Sequence, residues 1–468
     1  MKRGKLIITA VASALLLAVG TAWAAKGGIP GKPPKDEEPP PPPVDVDGDF
    51  WFWRWGHMDG PHDSSMALGI SRDGKTAVGS TVVVDFDRAW RSDIDWAIAT
   101  DDGVPPLYNE LQVQEDIGVI APSRPSAAFG ASDMTTDPCP YDKLSLNLDW
   151  CGSKPVGTYV LGTVSYGVQW LLPVLDSVDE GDYVTIPDFG GGASDMQAMD
   201  VTADGLIMVG YGNNKRGPLA FYADMTDPLL PVVKALTITD SISTQTLQWS
   251  RAEAVSADGI FVAGYGGTKR GNRAFVTEVL DASTDPITLL SVVLPNLDGG
   301  QWSEAYAMTP DGRYIAGRSD SPKGPQACIW FQDAATLEWV VKGLGGLSNK
   351  KVDSVATGIA YRIGSDAGDL MVVGRSKSIL YPSEAFVWAG NPVLEDDEIG
   401  YMYDLEYILT KTGVGELSGM GSRWILQEAT GVSALGDRIV GWGVNPEGGI
   451  EAWVVTGYPF HTPVFTHE

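Results

Sequence analysis

Few residues in this chain have the types and spacing that chemistry needs. Asp45, Asp47 and Asp49 alternate in DVDGD, a spacing that hard cations such as calcium favour. Counted from Asp45, a true calcium loop wants Gly at the sixth place and Glu at the twelfth, where this chain has Phe50 and Gly56. No cofactor is implied beyond calcium at these aspartates, whose plain reading is a solvated lead into a first strand. His57 and His62 flank Asp59 in HMDGPH, but a zinc centre wants a third ligand, and the remaining histidines are His461 and His467. There is no G-x-S-x-G elbow, and four histidines leave few bases for a nucleophilic triad. Paired carboxylates remain open. Asp188 with Asp195, or Glu253 with Glu304, could flank a central cleft, although each reads first as a solvated turn or strand residue. No residue is assigned a catalytic role.

Binding is better supported than reaction. Trp51, Trp53 and Trp55 alternate on one strand face, where their rings could stack on a sugar. Trp249 and Trp302 each stand three residues before an equivalent Ala and read as packing between repeats. Lys215-Arg216 and Lys269-Arg270 occupy matching loops, NNKRG and GTKRG, and either meet a carboxylated partner or offset nearby acids.

These residues are positioned by a repeat. Ala67, Ala198, Ala252 and Ala305 each precede Asp73-Gly74, Asp204-Gly205, Asp258-Gly259 and Asp311-Gly312 by six residues. Six residues after each Asp comes Gly79, Gly210, Gly264 or Gly317, then Ala followed by Trp90, Phe221, Phe275 or Cys328. Two looser copies begin at Ala356 and Ala429, turning at Gly368-Asp369 and Gly436-Asp437. Asp-Gly between short apolar runs is a hairpin signal, so the four aspartates read as structural turns. A loop and two further apolar runs complete four strands per repeat, as in PITLLSVVL after RAFV. Four antiparallel strands every 50-odd residues is the arithmetic of a propeller blade. The expected fold is an all-β, β-propeller-like closed array of six to seven four-stranded blades, with a solenoid as the competing architecture. Small Ala and Gly residues suit strands crowded at an axis. Trp90, Phe221, Phe275, Trp330, Phe386, Trp388 and Trp453 suit the spaces between sheets. DFWFWRWG, residues 49–56, is expected to pair with the last blade and close the ring, since an open end exposes a strand edge.

The recurring AxxxSxDGxxVxG…AF pattern, seen as AVSADGIFVAG…RAFV and AMTPDGRYIAG…QACIW, with LGGLSN at 344–349, resembles the HAF family of extracellular repeat proteins. The likeness covers roughly residues 60 to 455 apart from about 95 to 185. It implies a secreted or surface-associated repeat protein and hands over no catalytic residue.

The remaining features agree with export. Lys2, Arg3 and Lys5 precede an apolar run, and Ala22-Trp23-Ala24 offers a cleavage site, so residues 1–24 read as a signal peptide. Residues 25–46 are a proline-rich linker, and 47–468 the repeat domain with an insertion around 121–152. The net charge of −27, from 33 basic against 60 acidic residues, argues against nucleic acid and anionic membranes as partners. An extracellular protein or a glycan is the partner class that remains. Cys139 and Cys151 are expected to form a local disulfide, and Cys328 to be a buried thiol. The expected function is a secreted, non-catalytic binding or structural scaffold. The alternative is a glycan-directed hydrolase using carboxylates in a central funnel.

Overall fold

The computed structural model describes residues 50–54, 64–94 except 84–85, 115–116, 126–133, 154–170 except 162–163, 183–187 and 194–457. Gaps in the last span fall at 215–216, 228–229, 270, 349–350, 363–367, 395–399 and 412–423. All of these residues belong to the unit Pro43–Glu468. The candidate calcium ligands Asp45, Asp47 and Asp49, the cysteines Cys139 and Cys151, and all four histidines lie outside the described residues.

Each repeat folds locally through its turn. In the repeat whose first strand is Ser250–Val255, Ser256 Oγ donates to Asp258 Oδ1 (2.6 Å) and accepts from the Phe261 amide (2.8 Å). Gly259 takes the left-handed conformation (φ 76°) that the turn requires. The same Ser/Thr–Asp bond forms at Ser71–Asp73, Thr202–Asp204 and Thr309–Asp311. These aspartates are therefore turn residues, as the spacing predicts. Where the last copy reads Leu-Gly-Asp, Ser433 reaches Asp437 instead and Gly436 supplies the positive φ.

The hairpins extend into seven four-stranded antiparallel sheets. Blade 1 starts at Ser65–Ile70, blade 2 at Ser126–Ala131, blade 3 at Ser194–Val201 and blade 4 at Ser250–Val255. Blades 5, 6 and 7 start at Ser303–Met308, Ser354–Tyr361 and Ile425–Val432. Each first strand lies against that of the next blade, and the seventh lies against the first. The array is thus a closed seven-bladed propeller, and a solenoid is excluded. The closing strand Phe50–Arg54 pairs with Ile450–Gly457 as the outermost strand of blade 7, with Phe52 opposite Val455. Blade 2 uses Ser126–Ala131, within the stretch expected to be an insertion. One helix occurs among the described residues, Leu405–Lys411, between blades 6 and 7. No helix among the described residues is long and apolar enough to cross a membrane.

The core is divided rather than central. Seven apolar clusters each unite residues of two neighbouring blades, one for every interface around the ring. Trp90, Phe221, Phe275, Trp330, Phe386, Trp388 and Trp453 are all fully buried in them, and Cys328 is a buried free thiol. Each buried aromatic contributes roughly 2–3 kcal/mol of transfer free energy.

Candidate functional site

A bulge recurs in all seven first strands, at the residue just after the repeat's Ala. The bulged residues are Leu68, Phe129, Met199, Glu253, Tyr306, Thr357 and Thr430. Each is partly exposed beside a fully buried Ala. On an innermost strand the accessible space is the channel, so the bulges aim this ring of side chains at the axis. Its character changes around the circle. Blades 1 to 3 contribute apolar groups, blades 4 and 5 contribute Glu253 and Tyr306, and blades 6 and 7 contribute two threonines. Those threonines stitch neighbours together, Thr357 donating to the Ala429 carbonyl and Thr430 to that of Ala67 (2.8 Å).

At one end of the channel the turns are linked to one another. The Ala434 amide donates to Arg72 O, Asp133 to Ala203, Ala203 to Ala257, and Ala257 to Pro310, passing from blade to blade. Arg72, on the blade 1 turn, donates to the Val201 carbonyl of blade 3 (2.6 Å) and the Val255 carbonyl of blade 4 (2.7 Å). It also pairs with Asp200 (3.5 Å), whose pKa burial raises against the pull of Arg72. This guanidinium therefore plugs the turn end, and the channel's usable mouth is the opposite one.

Toward that mouth, the residue before each Ala pairs across the hairpin with the residue after each Gly. The pairs are Gln197–Tyr211, Arg251–Tyr265, Glu304–Arg318, Val355–Arg375 and Glu428–Trp442 in blades 3 to 7. Blades 1 and 2 place Met66–Ser80 and Ala127–Thr158 there. The polar members connect. Tyr211 donates to Gln197 (2.5 Å), and the Arg251 guanidinium lies 4.2 Å from the centre of the Tyr211 ring. Arg251 Nη1 reaches Tyr265 Oη (3.4 Å), and the Tyr265 ring meets Trp249 and Tyr306 edge-on. Glu304 accepts from Tyr306 Oη, from Arg318 Nε (2.8 Å) and, at its other oxygen, from Asn272 Nδ2 (2.6 Å). Arg318 stacks 5.1 Å from the Trp302 ring centre. Arg375 and Glu428 form a further pair at 3.6 Å.

The two carboxyls Glu253 and Glu304 are pushed apart in acidity. Burial raises Glu253 from 4.5 to about 8; Arg251 opposes this and Glu304 adds to it. Burial also penalises charged Glu304, but Arg318, Tyr306 and Asn272 outweigh it and hold that group below its ordinary value. Glu253 is accordingly neutral at pH 7 and Glu304 ionised. Since the folded value of Glu253 is the raised one, its contribution to stability is present at low pH and is lost as pH rises through about 8. Glu253→Gln is expected to match the parent near pH ~4 and to exceed it by up to about 5 kcal/mol above pH ~9. Urea melts at both pH values measure this, and a constant difference between them would refute it.

The structure redistributes the sequence candidates. Glu253 and Glu304, expected to be solvated, are a partly buried and a buried carboxyl on neighbouring first strands. Asp188 lies outside the described residues, and Asp195 accepts from Asn213 (3.5 Å). Trp249 and Trp302 each pack against the preceding blade, as expected, at the loops of Gly217 and Gly271, and both are partly exposed. They stand there because each precedes its first strand by only one residue. Trp51 and Trp53 belong to the outermost strand of blade 7, away from the channel. Trp55, Lys215, Arg216 and Arg270 lie outside the described residues, whereas Lys269 is exposed on the blade 4 loop. Among the described residues no group of three His, Cys, Asp or Glu stands together to hold a metal ion.

No family model matches this sequence, and no curated protein matches it. Among solved structures it is similar to a puromycin hydrolase S511A mutant at 14% identity and TM-score 0.45, over 85% of this chain and 54% of that one. The match thus spans about half of the hydrolase's length. TolB from Acinetobacter baumannii is 11% identical at TM-score 0.33, over 82% and 80% of the two chains. Prolyl oligopeptidase B from Galerina marginata is 9% identical at TM-score 0.38, over 71% and 41%. The seven-bladed assignment stands on the closed ring of sheets, and these likenesses carry no reading of the site.

Proposed function

We propose that this protein is an exported, non-catalytic binding module that holds a glycan or a glycan-bearing partner at the mouth of its channel. The supporting observation is the state of Glu304. Both its oxygens are engaged by Tyr306, Arg318 and Asn272, so it is not a free base or nucleophile opposite the neutral Glu253. The surrounding Trp249, Tyr265, Trp302 and Tyr306 offer aromatic faces and edges, which suit a sugar ring better than a reaction. Export, the HAF likeness, the Cys139–Cys151 disulfide and contacts from Trp51, Trp53, Trp55, Lys215, Arg216, Lys269 and Arg270 belong to this same proposal. The intact mass of secreted protein should show loss of residues 1–24 and of two thiol hydrogens.

A second reading, a glycan-directed hydrolase with Glu253 as proton donor, is favoured by the opposed acidities of the two carboxyls. It requires Glu304 to leave Arg318. Binding of the purified protein to immobilised glycans, with turnover assayed on every hit, separates the two. Trp302→Ala should weaken binding about tenfold or more, with turnover at background throughout. Glycan cleavage that disappears in Glu253→Gln would overturn the non-catalytic reading.

A further inference from the structure

Among the described residues, the hairpin positions at the channel mouth carry three guanidinium groups, two of which pair with carboxylates. Arg318 is bound to Glu304 (2.6 Å) and Arg375 to Glu428 (3.6 Å). Arg251 has no carboxylate within ion-pair distance among the described residues. Its guanidinium carbon lies 4.2 Å from the centre of the Tyr211 ring, its Nη1 makes one long bond to Tyr265, and its Nε is buried without a hydrogen-bond partner. Its Nη2 makes no hydrogen bond among the described residues. A guanidinium held in this way, at the centre of a chain with net charge −27, is an incomplete ion pair.

Glu253 is its neighbour on the same strand, two residues on and re-aimed by the bulge. Its carboxyl makes no hydrogen bond among the described residues, so it too is an open position. We propose that the mouth between blades 3 and 5 binds a ligand through a single carboxylate, with Arg251 as its cation and Glu253 as a second hydrogen-bonding group. This rests on the binding-module reading and names the class of its ligand: a glycan bearing a uronic-acid-type carboxylate.

The charges favour a monoanion. With Arg318 and Arg375 neutralised, Arg251 is the uncompensated charge among the described hairpin positions, and a single guanidinium matches the single charge of a carboxylate more closely than that of a phosphate dianion. The planar guanidinium fork also matches carboxylate geometry. Glu253, protonated up to about pH 8, can donate an O–H to the same carboxylate. Once ionised it would repel it. The groups facing this pair are Tyr211, Tyr265 and Glu304, with Asp195 beside Tyr211. Both tyrosines are held neutral by burial, Tyr211 up to about 12, so Glu253 is the group that titrates near neutrality.

Isothermal titration of the full chain with D-glucuronate, D-glucose and glucose 6-phosphate tests the assignment. Glucuronate should bind at least about tenfold more tightly than either of the others, and its affinity should fall by up to about tenfold per pH unit above pH ~8. Arg251→Gln should remove the preference. Glu253→Gln, which keeps a donor, should retain it and flatten its pH dependence, so the idea survives even if the Arg251 variant fails to fold. Equal binding of glucose and glucuronate, tighter binding of the phosphate, or no binding of glucuronate at ~10 mM would overturn the carboxylate site. Glucose bound as tightly as glucuronate, and weakened by Trp302→Ala, would leave the binding-module reading standing without it. Chemical turnover of bound glucuronate would instead remove the non-catalytic reading and leave the carboxylate site in place.

Discussion

Gly264→Val should prevent blade 4 from forming and cost more than ~4 kcal/mol, enough to remove most of the stability of an ordinary domain. A Cβ at Gly264 would stand 2.0 Å from the Arg251 carbonyl oxygen and 3.0 Å from the Ala252 Cα. Both are backbone atoms of the first strand, which cannot move aside as a flexible side chain would. The cause is local. Just before the bulge at Glu253, the Arg251 carbonyl lies over the paired strand, and the residue opposite Ala252 must then lack a side chain. The same approach occurs at Gly79, Gly157, Gly210, Gly317, Gly374 and Gly441, each with a carbonyl oxygen 1.9–2.1 Å from its added Cβ. Thermal melting and soluble yield measure the effect. Gly345→Asn is the control, since Gly345 has open space around it and a φ of 80° that Asn tolerates. If Gly264→Val melted within about 2 °C of the parent, this account of the repeat glycine would be wrong.

That glycine shows how far the fold was legible. The Ala, Asp-Gly and Gly of the four registered copies mark first strand, turn and second strand in the right order, which makes four strands per copy readable. The crowding expected of the innermost strands is found at each glycine as the close approach of a first-strand carbonyl, whereas the bulge beside it leaves no signature of its own in a sequence. Blade 2 was hidden for a different cause. Its Ala128 and Gly157 pair just as in the other blades, but residues 134–153 intervene and no Asp-Gly turn joins them.

The candidate site was illegible for the opposite reason. A repeat is recognised by what its copies share, whereas the mouth is built from positions at which they differ. The residue before the Ala runs Met66, Ala127, Gln197, Arg251, Glu304, Val355, Glu428, and the one after the Gly runs Ser80, Thr158, Tyr211, Tyr265, Arg318, Arg375, Trp442. Read down these two columns, the polar residues gather in blades 3 to 7. Knowing that neighbours in the column become neighbours around a ring required the closed architecture first.

Closure itself yields the last expectation. The strand Phe50–Arg54 is separated in sequence from its partner Ile450–Gly457 by nearly the whole propeller, and only non-covalent packing holds the two together. Phe52 packs into the core from this strand. Its ring is buried, 5.2 Å edge-on from Trp424 and 6.4 Å from Trp453, in the cluster shared by blades 6 and 7. Phe52→Ala should cost ~3–5 kcal/mol through lost transfer energy and the cavity left between two tryptophans. It should also speed hydrogen exchange along 450–457, because the outermost strand then frays from the sheet. Arg54→Ala sits on the same strand and supplies the contrast. Its pair with Glu447 spans 3.9 Å between exposed side chains, and losing it should change stability by less than about 0.5 kcal/mol. Denaturant melts of the two variants, read alongside exchange, separate ring closure from a general effect of altering the strand. Equal costs for the two substitutions would mean that the ring is held shut by the first strands around the channel, and that the outer strand merely covers blade 7.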